Sequence, residues 1–153
     1  MGGRANYGQL NDNRTPISVL TGAAIAFKAN GGKLVTGYGG SLALAVAANL
    51  AILGWADVAE FTTATTDKIT VNTNFEAVYE MPIDAVRTVA QLDALVGKTC
   101  DVVVGTGIQY ADFDAATDNT LQIMGYSYYG SAAGMQTLHV RLNEKVITKS
   151  TVV

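Results

Sequence analysis

The chain has one cysteine, one histidine, one tryptophan and two prolines, and only 15% of its residues are charged. Each scarcity closes a class of function. Cys100 alone can form no intramolecular disulfide and supplies no cysteine-based zinc site. Within "TCDVVV" it reads as a small buried hydrophobe rather than a nucleophile. His139 has no second histidine or cysteine cluster to work with, so a catalytic triad would rest on an unsupported serine. A formal charge of −3 provides no basic footprint for nucleic acid. The longest apolar stretch, from Leu42 to Ala56, is too short and too interrupted to span a membrane. No segment joins a charged start to an apolar run as a signal peptide does, so a cytosol-like compartment is expected.

What is present suits one mainly β domain. At 153 residues, 49% of them apolar, the chain can bury a substantial core. Sparse charge on a chain of this size hints that partners cover part of its surface. Abundant Gly, Ala, Thr and Asn fit short strands joined by tight turns. Residues 1–16 are polar and lack any period, and read as an extended N-terminal arm carrying the contact residues Arg4, Tyr7 and Arg14. A single β domain is expected over 17–147, with a C-terminal tail at 148–153.

Along that domain, "AAIAFKA" (23–29) and "KLVT" (33–36) flank "NGG", which predicts a hairpin. "GYGGS" (37–41) predicts another turn. Leu42 to Leu53 is ambiguous between helix and strand. Its period-two alternation favours a strand, a loop at Ala48-Asn49, and a second strand over 51–61. The threonine-rich 62–67 reads as an exposed loop or ragged edge, and 68–73 and 76–83 as strands. One short helix is expected at about 88–96: Thr88 and Gln91 make a capping box, Val89, Leu92, Leu95 and Val96 an apolar face, and Gly97 a stop. Strands follow at 99–105, 108–113, 121–130 and 138–147. Many short strands with one helix predict a compact β-barrel, β-tulip-like or sandwich domain.

The stretch "VVVGTGIQYADFDAATDNT" (102–120) looks most like chemistry. A dinucleotide loop would need a third glycine where Tyr110 stands, and a helix after it. No Gly-Lys-Ser/Thr follows, so it is no phosphate-binding P-loop either. Asp112, Asp114 and Asp118 resemble a calcium loop, but its glycine and glutamate positions hold Thr117 and Ile123. The glycines therefore read as a turn and "DAATDN" (114–119) as a turn whose Asp and Asn side chains bond their own backbone, with an irregular calcium site as the alternative. Asp57 with Glu60, or Glu76 with Glu80, read as outward faces rather than carboxylate pairs. His139 and Arg141 share one face of a strand and Leu138, Val140 and Leu142 the other, which predicts a solvent-facing or interface histidine. No enzyme, cofactor or metal is expected. Tyr128 and Tyr129 read equally as barrel core or as interface residues.

Taken together, "LDALVGKTCDVVVGTGIQYADFDAATDNTLQIMGYS" with the later "LHVRL" resembles the capsid decoration (cement, or auxiliary head-stabilising) proteins of tailed bacteriophages. So does "GAAIAFKANGGKLVTGYGG" followed by "LAILGWADVAEF". The likeness covers roughly 17–145 and lies in the order of strands and turns, not in a catalytic signature. It implies a structural virion protein, assembled in the bacterial host cytoplasm, that binds the outer capsid surface. It also implies the major capsid protein as partner and homo-oligomerisation as a trimer or dimer, with no nucleic acid and no membrane. Under that resemblance Arg4, Tyr7, Arg14, Tyr128 and Tyr129 would contact the capsid or a neighbouring copy. A small-ligand or carbohydrate-binding β-barrel, marked by a concave aromatic pocket, is the alternative.

Overall fold

The computed structural model describes residues 8, 10, 11, 13–38, 41–46, 52–114 and 118–143. Arg4, Tyr7 and the tail at 148–153 lie outside these, as does 144–147 of the expected last strand. In chain order the elements are β1 (Pro16–Leu20), β2 (Ala26–Phe27), β3 (Leu34–Tyr38), β4 (Ser41–Leu44), β5 (Ile52–Ala56), β6 (Phe61–Thr62), β7 (Lys68–Asn72) and β8 (Tyr79–Pro82). A short helix α1 (Val89–Asp93) precedes β9 (Thr99–Gly105), β10 (Ile108–Asp112), β11 (Leu121–Tyr128) and β12 (Gln136–Leu142).

The strands form two five-stranded antiparallel sheets, ordered β1-β7-β5-β3-β4 and β10-β9-β11-β12-β8, plus a two-stranded ribbon β2-β6. Alternation along the middle strands explains the layering. On β3, Leu34 points into the core shared with the second sheet, and its neighbour Val35 points the other way. The first core joins Leu34, Ile52 and Trp55 to Tyr79, Met81, Val102, Ile123, Leu138 and Val140. The second packs Val35, Leu42, Ala56, Ile69 and Val71 against Ile25 and Phe27 of the ribbon side. Among the described residues the architecture is therefore mainly β and sandwich-like, and the expected barrel does not close. A lone parallel bridge between Ile83 and Ala111 brings the two edges of the second sheet together without a ladder between them.

The hairpin expected across "NGG" does not form. β2 pairs with β6, while β3 pairs with β4 and β5. The chain does turn there, with Gly31 N–H donating to the Lys28 carbonyl at 3.2 Å, and Gly32 also answers a packing need: a Cβ on it would lie 2.5 Å from Met81 Cε and 2.8 Å from Gln109 Oε1. In the 62–67 loop, Thr63 is buried, not exposed. Its hydroxyl donates to the Ala23 carbonyl and accepts from the Ile25 N–H, tying the loop to the segment before β2.

The helix starts as its sequence dictates. Thr88 and Gln91 satisfy each other's backbone N–H groups in a capping box. Its apolar face is narrower than expected, because Leu92 is buried and Leu95 partly so, while Val89 and Val96 are exposed. The helix is too short to turn both valines inward, and Gly97 leaves it by donating to the Ile123 carbonyl at 2.9 Å.

The Gly-Thr-Gly stretch is a two-residue hairpin turn, with Gly105 paired to Ile108. Thr106 and Gly107 both take positive φ, 51° and 78°. A β-branched residue is strained there, whereas asparagine is not. Thr106→Asn is expected to raise stability by up to about 1 kcal/mol, read as a higher urea midpoint with an unchanged slope.

Candidate functional site

The segment expected as an arm is extended where it is described, but its polar groups are used within the chain. Glu80 N–H donates to the Gly8 carbonyl at 2.8 Å, and Leu10 N–H to that of Val78 at 2.7 Å. The Asn11 and Asn13 amides donate to Glu76, and Asn72 accepts from Thr15 N–H. Asparagines on both sides thus stitch residues 8–15 along residues 72–80. Arg14 projects from this segment with 63% of its side chain exposed, 3.8 Å from Asp57.

Tyr128 and Tyr129 lie at the far end of the β11–β12 hairpin, 41% and 37% exposed, so neither is core. Their display is rigid for a local reason. Tyr129 N–H donates to the Met135 carbonyl at 2.8 Å, and the buried Gln136 amide donates to Gly130 across the turn. The same Gln136 accepts the Arg87 N–H at 2.8 Å, which sets residues 86–88 beside the hairpin. Val86 is exposed there, and the Arg87 guanidinium lies 4.3 Å over the Phe113 ring and 2.7 Å from Asp114. The hairpin tip and this neighbouring segment present aromatic, aliphatic and guanidinium groups on fixed backbone, a composition that favours protein contacts. The structure does not bring Arg14 to this end of the chain: it lines a cavity with Trp55 and Tyr79.

The aspartate loop does its work internally. Asp112 accepts the Asp114 N–H at 3.0 Å, while residues 115–117 of the expected "DAATDN" turn lie outside the described residues. The buried Asp101 carboxylate accepts the N–H groups of Asp118 and Asn119, and Asn119 takes φ 52°. Among the described residues no group of three His, Cys, Asp or Glu side chains is placed to hold a metal ion. Cys100 is fully buried, and that burial pushes its thiol up to about 12, so it stays protonated at neutral pH.

Three polar placements were not legible in the sequence. His139 is half-buried, not simply solvent-facing, and its Nε2 lies 2.8 Å from the Ser127 hydroxyl. Burial lowers its pKa, opposed by the charge of Glu80. Glu80, expected on an outward face, is buried on β8 beside β12, and it accepts from Thr137 rather than from the imidazole. Serine, histidine and acid are therefore neighbours without the relay a triad needs. The third placement is Lys33, buried at the head of β3, whose only sequence signal was a single cation opening an apolar strand.

Among the described residues no helix is long and apolar enough to cross a membrane. Comparison of the chain with protein-family models, with curated proteins and with solved structures finds no match to any of them.

Proposed function

We propose that this protein is a structural virion component that binds the outer surface of an icosahedral phage capsid and stabilises it. The observation that carries the reading is the exposed, hydrogen-bonded Tyr128–Tyr129 tip on a sparsely charged β-sandwich. Large apolar side chains exposed on fixed backbone contribute most when a partner covers them. The order of strands and turns that resembles decoration proteins supports the same reading. The partner is the major capsid protein, and copies of this chain meet as dimers or trimers on the shell. The mechanism is linkage: a protein that binds the assembled lattice and not its free subunits stabilises the lattice by its binding free energy. Repetition over many equivalent positions multiplies a modest contact.

The test is co-sedimentation with heads built from the major capsid protein encoded in the same genome. Tyr128→Ser with Tyr129→Ser is expected to weaken head binding by at least about tenfold, as loss of interface hot spots does. Its unfolding midpoint should stay near that of the wild type, since both side chains are exposed. Unchanged binding by this folded variant would remove the tip from the interface. The arm is tested separately by deleting residues 1–7, which removes Arg4 and Tyr7 but keeps the hydrogen bonds of residues 8–15. Binding is expected to weaken, and Arg14→Ala to weaken it further.

A further inference from the structure

A polar cavity of about 100 Å³ opens between the two sheets where β3, β5, β7 and β8 come together. Three groups on its wall are hydrogen-bond donors with capacity to spare. Lys33 is 8% exposed, and its ammonium donates to the Val58 carbonyl at 2.7 Å. No ion pair to Lys33 occurs among the described residues. Tyr79 is 2% exposed, and its hydroxyl has no hydrogen-bond partner. The Asn72 amide lies near enough to influence that phenol, yet falls short of hydrogen-bond geometry with it. Arg14, the third donor, stands exposed at the mouth.

A buried ammonium and a buried hydroxyl each cost free energy unless something accepts from them. We propose that this cavity binds a carboxylate, held by the Lys33 ammonium and the Tyr79 hydroxyl, with the Arg14 guanidinium at its entrance. Size and charge select the ligand class. The cavity has room for a carboxylate head group, or for about three waters. Lys33 and Arg14, set against the Asp57 carboxylate that lines the same cavity, leave one positive charge, which one carboxylate matches. The neighbouring Asp57, exposed and turned to Arg14, and Glu60 disfavour a dianion such as phosphate. Burial lowers the Lys33 pKa, and a bound carboxylate would favour its charged form. The site shares only Arg14 with the capsid reading and rests on Lys33 and Tyr79, which that reading does not use, and its ligand is either a free small carboxylate or an acidic side chain of another protein.

Trp55, the single tryptophan, lines the cavity and stacks on Tyr79 with ring centroids 4.3 Å apart, so its fluorescence reports on occupancy. The purified chain is titrated with sodium acetate, with sodium chloride and acetamide as controls at matched ionic strength. A saturable Trp55 response to acetate alone is expected. It should weaken by about fivefold in Tyr79→Phe, which keeps the ring stack but loses one hydrogen bond, and vanish in Lys33→Met. A parallel titration uses an end-blocked glycine peptide carrying one glutamate. Tighter binding than acetate assigns the site to a partner's side chain, and no binding assigns it to a free carboxylate. A wild-type response no greater than with chloride, or an undiminished response in folded Tyr79→Phe and Lys33→Met, overturns the proposal. So does an equal response to acetamide.

Discussion

Gly54→Ala is expected to destabilise the fold by about 4 kcal/mol or more, enough to leave little folded protein at 37 °C. A Cβ at this position would lie 2.1 Å from the Asn72 carbonyl oxygen, 2.9 Å from its carbonyl carbon and 3.1 Å from Thr73 Cα. All three are backbone atoms, so no rotamer change can relieve the overlap. β5 would have to withdraw from β7, breaking the pairing of Trp55 with Asn72 and Ala56 with Val71. That movement would also separate Trp55 from Tyr79, whose stacked rings join the two sheets. Urea unfolding followed by Trp55 fluorescence measures the loss. A midpoint within the range of ordinary surface substitutions would show that β5 and β7 are not packed this closely.

The second large effect belongs to Gln109, which is 1% exposed and crosses from β10 into the first sheet. Its Oε1 accepts the Leu34 N–H at 2.8 Å, and its Nε2 donates to the carbonyls of Leu34 and Ala45 at 2.9 Å each. The amide thus sits where the β3–β4 ladder opens, completing one strand's hydrogen bonds with a side chain from the opposite sheet. Gln109→Leu keeps the volume and removes all three bonds. The Leu34 carbonyl still accepts from Ala45 N–H, so the main penalty falls on the Leu34 N–H and the Ala45 carbonyl. At about 1–3 kcal/mol for each buried group left unpaired, a loss of about 3–5 kcal/mol is expected in denaturant unfolding. Gln109→Glu offers a second readout. It keeps the acceptor and loses the donor, so its stability should recover partly as the carboxyl is protonated at low pH.

Much of the local structure was legible because local chemistry decided it. The capping box at Thr88, the Gly-Thr-Gly turn and the strand Thr99–Gly105 each depend on residues within a few positions of one another. What could not be read depended on distant partners. "NGG" carries a turn signal, yet Gly32 is glycine because Met81 and Gln109 crowd it from the other sheet. Glu80 looks like an outward carboxylate, yet it is buried and accepts from Thr137 on the neighbouring strand β12. The candidate interface was half legible. Two adjacent tyrosines at a strand end suggested a contact surface, but the display of Val86 and Arg87 beside them follows from Gln136, whose role is tertiary. The Lys33–Tyr79 cavity joins residues 46 positions apart through sheet packing, so no spacing in the chain announces it.

Decoration of an assembled lattice differs from binding a capsid subunit, and that difference follows from the linkage mechanism. The most direct measurement compares the fraction of this protein that co-sediments with intact heads with the fraction retained by unassembled major capsid protein at the same subunit concentration. Saturable binding to heads, little binding to free subunits, and heads that withstand higher temperature when decorated are expected. Equal binding to both forms, or no binding to heads, would contradict the proposed capsid-stabilising role.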